Sequence, residues 1–378
     1  MTARTRVTVL GVTGSIGMQT CDVIRRYPEQ FELVGMTAGK SLKIRELRSE
    51  FPAARVATRH AVDPDIPAGA DAVAAVAGSG ADIVVVAIPG MDALAPALAA
   101  IDGGSDLALA SKEVLVVGGT HVMERAAAAG VTVYPVDSEH SAIWQCLRGE
   151  VREDVVRIIL TASGGAFRDY SASELAHVTV EDALRHPTWN MGVKVTVDSA
   201  SMMNKALEMI EAHHLFHMPM DAIDVVVHRQ SIDHSMIELA DGGVLAALSV
   251  PDMRLPIALA LNRGRRLPGV IPSLSWDTVP LLQFEPIDTH RYPAIELARH
   301  AGRDPSGGRA CVLNAANEVA VEAFCEGSLR FIDIVPLVAK TIDSLQDHAP
   351  AGIGDLIMLD STARQVARTL VQSMHGVG

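Results

Sequence analysis

The segment Pro135-Val136-Asp137-Ser138-Glu139-His140-Ser141 sets two carboxylates two positions apart, directly after a strand-like run. Read as extended chain, positions i and i+2 project to one side, so Asp137 and Glu139 can share one partner. With a third oxygen ligand they suit Mg2+ or Mn2+, hard cations that favour oxygen donors. That third ligand is offered on a helical stretch after Asp198, where Asn204, Glu208 and Glu211 form a stripe opposite the apolar Met203, Leu207 and Ile210. Lys205 lies beside Glu208 at i+3, so Asn204 and Lys205 can hold phosphate oxygens while Glu208 takes the metal. Each pattern has a plain alternative. An isolated D-x-E is also a solvated acidic loop, and the stripe is also an ordinary amphipathic helix with Ser199 or Asp198 as its N-cap.

Other residues could act on an anion. Ser163-Gly164-Gly165 follows the strand-like run at 155–161, and glycines there let backbone N–H groups approach a phosphate; a plain turn reads the same way. The loop from His186 to Gly192 carries Trp189 and Met191 between Pro187 and Gly192, which suits a lid that closes over ligand; packing of Trp189 into the core is the alternative. His213, His214 and His217 give H-H-x-x-H at a helix end. Without an H-E-x-x-H frame, and with the helix dipole favouring histidine there, this is read as a helix C-terminus and not as zinc.

At the N-terminus, Gly11-Val12-Thr13-Gly14-Ser15-Ile16-Gly17 stands between a strand-like run and a helical stretch. Glycines permit the tight turn, and the helix N-terminus offers free N–H groups to a pyrophosphate. The spacing is G-x-x-G-x-x-G and not G-x-G-x-x-G, so context carries the reading. The second strand ends in Gly39-Lys40-Ser41, with no acid to accept from a ribose 2′-hydroxyl. Lys40 and Ser41 would welcome a 2′-phosphate, so NADPH is expected over NADH, although Lys40 is equally read as a solvated loop lysine.

The elements that must position these groups follow a clear order. Strand-like runs at 7–10, 32–37, 83–87, 107–110 and 131–134 alternate with helical stretches, as in a parallel α/β sheet. Runs at 155–161, 193–197, 224–227, 235–239 and 244–248 predict a second sheet, with a helix over 199–216. A Pro-rich arm covers 268–293, and helices follow at 313–324, 332–345 and after Asp360. The expected fold is α/β: a Rossmann-like domain at 1–150, a central α+β catalytic and dimerisation domain with a lid loop at 151–277, an arm at 278–299 and a helical domain at 300–378.

Composition narrows the partners. The 378 residues carry a net charge of −13 with no basic block, which argues against nucleic acid. The four cysteines lack C-x-x-C spacing, so a reducing cytoplasm is expected. The apolar stretch 83–101 contains Pro89, Gly90, Asp92 and Pro96, and so reads as strand, turn and helix and not as a membrane span.

Taken together, GVTGSIG at 11–17, SKE at 111–113, PVDSEHSA at 135–142, ASGGAF at 162–167, HPTWNMG at 186–192, VDSASMMNKALEMIEAH at 197–213, PDMR at 251–254 and LNAANEVAV at 313–321 resemble the 1-deoxy-D-xylulose 5-phosphate reductoisomerases, in order and across essentially the whole chain. The resemblance implies NADPH contacts from Thr13, Gly14, Ser15, Ile16, Gly39, Lys40, Ser41, Glu113 and Gly192, with Ser111 where the family usually has Asn. It implies Mg2+, Mn2+ or Co2+ on Asp137, Glu139 and Glu208, and substrate contacts from Lys112, Ser138, Glu139, Ser163, His186, Ser199, Asn204, Lys205 and Glu208. Catalysis would fall to Lys112, Asp137, Glu139, Glu208 and His186. It further implies a homodimer of isoprenoid precursor biosynthesis, inhibited by fosmidomycin, that makes 2-C-methyl-D-erythritol 4-phosphate.

The chain also departs from the family at Arg229, usually Pro, and at Val250, usually Asn. Three other readings stand beside this one. A paralogous reductase would act on a related phosphorylated hydroxyketone, and a polyol- or hydroxyacid-phosphate dehydrogenase would work without the rearrangement. A non-catalytic NADPH-binding sensor would need the glycine loop but not three carboxylates and a phosphate clamp.

Overall fold

Short runs, rich in β-branched residues in β1 and β4, form one sheet from β1 (Thr5–Leu10), β2 (Phe31–Ala38), β3 (Arg55–Thr58), β4 (Ile83–Val86), β5 (Asp106–Leu109) and β6 (Val133–Pro135). The computed structural model describes residues 3–185, 189, 191–279 and 281–375. The strand order is β3-β2-β1-β4-β5-β6, and every pairing is parallel. Chain direction across the sheet reverses between β1 and β4, so the carboxyl ends of these two strands border the crevice where such sheets bind ligands. β3 has no counterpart in the sequence reading. Its four residues, Arg55-Val56-Ala57-Thr58, are too few and too mixed to stand out, and pairing with β2 defines them.

The first compact unit holds the residues up to Val114, Val122–Ser141 and Asp252–Ser273. The last segment was expected in the second domain. Its helix, Arg254–Leu261, instead buries Ile257, Ala260 and Leu261 in one core with Val7, Val9, Ile83 and Val85. Arg254 also bonds Asp22 on the helix Ser15–Arg26 at 3.1 Å, and the Tyr27 hydroxyl donates to the Pro268 carbonyl at 2.7 Å. A return of the chain from so far away leaves no local signal in the sequence.

The second unit holds Leu115–His121, Ala142–Pro251 and the chain from Leu274 onward. Its sheet runs β10-β9-β7-β8-β11, from β7 (Val155–Ala162), β8 (Ile223–Val227), β9 (Asp233–Leu239), β10 (Val244–Leu248) and β11 (Glu285–Pro286). β7 and β8 are parallel and the other pairings antiparallel. β11 lies within the Pro-rich arm and pins it to β8. The arm is also held by Arg229, which bonds Glu285 at 2.6 Å and Asp169 at 2.8 Å. A proline at 229 could make neither contact.

Two expectations fail in this unit. The run 193–197, expected as a strand from its alternating valines, opens the helix Val193–Ser201. Burial of Thr196, Val197, Ala200 and Ser201 follows helical spacing, and Thr196 Oγ1 donates to the Gly192 carbonyl one turn back at 2.9 Å. Packing of that face outweighs the β preference of valine. The single helix expected at 199–216 is two, because Met202 adopts a left-handed conformation (φ 62°) and starts a second helix, Met203–Phe216. Helices Ala294–Gly302, Gly308–Cys325, Ile334–Ser344 and Ile353–His375 complete the unit. Among the described residues no helix is long and apolar enough to cross a membrane.

Candidate active site

The glycine loop is built by steric exclusion. Gly11 has φ +84°, and a Cβ there would lie 2.3 Å from the Ala87 carbonyl oxygen. A Cβ on Gly17 would lie 2.4 Å from the Gly11 oxygen, so the helix Ser15–Arg26 starts against the loop itself. Gly14 is the N-cap and supplies no side-chain acceptor, which leaves the first N–H groups available to an outside anion. Thr13, Gly14, Ser15 and Ile16 form this turn, with Gly14 and Ser15 exposed. Gly39, Lys40 and Ser41 leave the end of β2 beside it, since Leu10 pairs with Thr37. The two segments thus present uncapped helix amides and a cation at the carboxyl ends of β1 and β2.

Ser111, Lys112 and Glu113 follow β5 and are all buried. Ser111 Oγ lies 2.6 Å from the Ile88 carbonyl oxygen and 3.1 Å from that of Val86, so its proton serves the backbone after β4. Lys112 Nζ pairs with Asp137 Oδ2 at 2.6 Å, with the two side chains 9% and 17% exposed. Breaking so enclosed a pair by removing one partner costs about 3–5 kcal/mol.

Asp137 and Glu139 are positioned differently from the extended segment expected. Asp137 ends the run from β6, and Glu139 lies in the first turn of the helix Ser138–Cys146. Asp137 Oδ1 accepts from the Ser138 amide at 3.0 Å, and its carbonyl accepts from Ser141 at 2.8 Å. The Ser138 hydroxyl donates to Glu139 Oε2 at 2.7 Å. The first unit therefore offers two half-buried carboxylates, already partnered by a lysine and a serine hydroxyl.

In the second unit the helix Met203–Phe216 is buried on both stripes. Lys205, Glu208 and Glu211 are 3%, 1% and 0% exposed, so this is no solvated amphipathic face. Lys205 Nζ pairs with Glu208 Oε2, and Asn204 Nδ2 donates to Glu208 Oε1. A buried carboxylate held by a cation and an amide has its charge compensated and its orientation fixed.

Gly165, whose N–H donates to Ser163 Oγ at 3.2 Å, packs against the backbone of Ser199. Gly165 has φ +70°, and a Cβ there would lie 2.5 Å from the Ser199 carbonyl oxygen. Ser199 stands near the end of the helix Val193–Ser201 and is not an N-cap. Asp198 is likewise no cap. It is buried, paired with Lys194 at 2.9 Å and bonded by Asn317 Nδ2 at 2.8 Å. That contact explains the Asn317 position in LNAANEVAV: it anchors the Ser199 helix to the helix Gly308–Cys325. The sequence reading assigned Asn317 no role, and an amide among Ala315, Ala316, Val319 and Ala320 was the available signal.

Gly192 is the exposed N-cap of that first helix, and Met191 beside it is half-buried. Trp189 is half-buried, its ring 6.4 Å from that of His234. His186, with residues 187, 188 and 190, lies outside the described residues. Burial pushes His234 down to about 4 and Asp233 up to about 6. His213 Nδ1 lies 2.7 Å from the Met218 carbonyl oxygen, and His214 is half-buried, so these histidines close a helix end. Nothing in the structure explains Val250.

The chain is similar to known proteins along most of its length. Family profiles described as 1-deoxy-D-xylulose 5-phosphate reductoisomerase and its C-terminal domains match residues 7–119, 133–216 and 248–366. The reductoisomerase of Chlorobium phaeobacteroides is 45% identical over 383 residues, covering 97% of this chain and 99% of that protein. That of Pelodictyon phaeoclathratiforme is 46% identical, covering 96% of this chain and 98% of its own. The Zymomonas mobilis enzyme, solved in complex with NADPH, superposes with a TM-score of 0.90 at 39% identity, over 98% of this chain and all of that one. A reductoisomerase solved with NADPH, fosmidomycin and magnesium gives 0.91 at 34% identity, over 98% of each chain. With family profiles over most of its length and relatives covered almost end to end, the chain belongs to the 1-deoxy-D-xylulose 5-phosphate reductoisomerase family.

Proposed function

We infer that this protein converts 1-deoxy-D-xylulose 5-phosphate to 2-C-methyl-D-erythritol 4-phosphate, using NADPH and a divalent metal. The observation that carries the reading is identity of 45% over 97% of the chain. The open N-terminus of the helix Ser15–Arg26 suits a pyrophosphate, and the absence of an acid at Gly39-Lys40-Ser41 suits NADPH. Thr13, Gly14, Ser15, Ile16, Gly39, Lys40 and Ser41, with Ser111, Glu113 and Gly192, are proposed as its contacts.

The donor set fits a hard cation: Asp137, Glu139 and Glu208 are proposed as its ligands, since carboxylate oxygens are what Mg2+, Mn2+ or Co2+ prefer. When bound, the cation polarises the carbonyl of the hydroxyketone and neutralises developing oxyanion charge. Bound NADPH supplies the hydride. The chain's own groups do the rest. Lys112, paired with Asp137, is placed to hold a proton near the reacting oxygens. Ser138 orients Glu139 through its hydroxyl. Ser163, Ser199, Asn204 and Lys205 hold the phosphate remote from the reacting carbons, which fixes orientation. His186, Trp189 and Met191 belong to a loop that covers the substrate and excludes water.

The proposal extends to a cytoplasmic homodimer that acts on a small sugar phosphate and binds fosmidomycin. NADPH oxidation with 1-deoxy-D-xylulose 5-phosphate, with and without Mn2+, tests it. Identification of 2-C-methyl-D-erythritol 4-phosphate is the expected result; oxidation with simple carbonyl reduction would instead indicate a dehydrogenase.

A further inference from the structure

The edge strand β3 ends at Thr58, and the chain then continues along β2 for two more residues. Arg59 N–H donates to the Ala38 carbonyl at 2.8 Å, and His60 N–H donates to that of Gly39 at 3.2 Å. These bonds fix Arg59 and His60 beside Gly39-Lys40-Ser41, the segment where a dinucleotide's adenosine ribose is held in such sheets. Both side chains are exposed. The Arg59 guanidinium reaches across to Asp92, which stands on the turn after β4, at 3.7 Å. With the two side chains 42% and 65% exposed, this pair is weakly held and open to exchange.

We propose that Arg59 is a specificity-determining residue for the cofactor, leaving Asp92 to take the adenosine 2′-phosphate together with Lys40. The inference rests on the NADPH reading above and deepens it. A phosphate monoester offers several acceptor oxygens and close to two negative charges, against one for Asp92. A guanidinium engages such a group through two parallel N–H bonds, whereas Lys40 acts as a point charge. Asp92 then serves as a resting partner that keeps Arg59 near the site when no cofactor is bound. His60 adds a further donor at the same edge.

The test is direct binding, read without turnover. Dissociation constants for NADPH, NADH, adenosine 2′,5′-bisphosphate and adenosine 5′-phosphate are measured by calorimetry on the whole protein and on Arg59→Gln, Arg59→Lys and Asp92→Asn. Arg59→Gln should weaken NADPH and the bisphosphate by about tenfold, the worth of one charge-assisted hydrogen bond, and leave NADH and the monophosphate within about twofold. Arg59→Lys should recover part of the loss, and Asp92→Asn should bind the bisphosphate at least as tightly as the parent. If Arg59→Gln keeps the parent's full preference for the 2′-phosphate, the assignment of Arg59 falls while the NADPH reading stands. If the parent itself binds NADH as tightly as NADPH, both fall together. Equal weakening of all four ligands would make Arg59 structural and overturn the proposal.

Discussion

Asn317 Nδ2 donates to Asp198 Oδ1 at 2.8 Å, with both residues buried, and so ties the helix Val193–Ser201 to the helix Gly308–Cys325. Asp198 keeps Lys194 as its other partner at 2.9 Å. Replacing Asn317 by Ala leaves a buried carboxylate short of one donor, at a cost of about 1–3 kcal/mol. Because Ser199 rides on the anchored helix, substrate KM should rise more than kcat falls. Urea denaturation and steady-state kinetics check this; an unchanged unfolding midpoint would show the bond to be dispensable.

Burial sets a pH dependence. The His214 ring fills the space over Gly119, where a Cβ would come within 2.2 Å of it, and burial lowers its pKa from 6.5 to about 4. Between those values the unfolded chain holds a proton that the folded one refuses, so stability falls as pH drops from 6.5 toward 4. His234 acts in the same window and direction. Asp233 acts oppositely: burial raises it from 3.8 to about 6, so the folded state keeps its proton there and loses stability as pH rises through about 6. His214→Leu should therefore reduce the acid-side slope of unfolding free energy by about one proton. Urea midpoints at successive pH values measure it, and a slope equal to the parent's would refute the burial argument.

Removing a carboxylate should separate metal from cofactor. Glu208→Gln keeps a polar group near Lys205 but loses the anionic oxygen, so Mn2+ affinity and turnover should fall by about 100-fold or more, since even outer-shell changes cost 10–100-fold. NADPH affinity should stay within a factor of about two, as the glycine loop is untouched. Electron paramagnetic resonance titration of Mn2+ reads the first quantity and fluorescence titration of NADPH the second. Parent-like Mn2+ binding would remove Glu208 from the ligand set.

Trp189 is half-buried, between the core and solvent-exposed extremes. As a lid residue, its truncation to Ala should lower kcat/KM sharply with little change in Tm, because ordering the loop is linked to ligand contacts. As a core residue, truncation should cost about 3–5 kcal/mol of stability. A large fall in Tm with normal activity in the folded fraction would decide for packing.

The amino-acid sequence determined the local features that depend only on residue type and near neighbours. These include the β1 turn and helix start at Gly11–Gly17, five of the six parallel strands, the placement of Asp137 and Glu139 at a strand end, and the lack of an acid after β2. Ordered motifs from residue 11 to 321 also carried the family, because so many spacings together are specific where each alone is not. Tertiary structure decided what depends on distant partners. The run 193–197 has the alternation of a strand and folds as helix because Thr196, Val197 and Ala200 bury one face. The polar stripe of Met203–Phe216 looks solvated in sequence, yet Glu208 is buried against Lys205, a pairing that hydropathy cannot reveal. Asp198 resembled a cap until Asn317, 119 residues away, proved to be its donor. Arg254–Leu261 joined the first unit for the same reason: burial is settled by which surfaces meet, and chain order does not encode that locally.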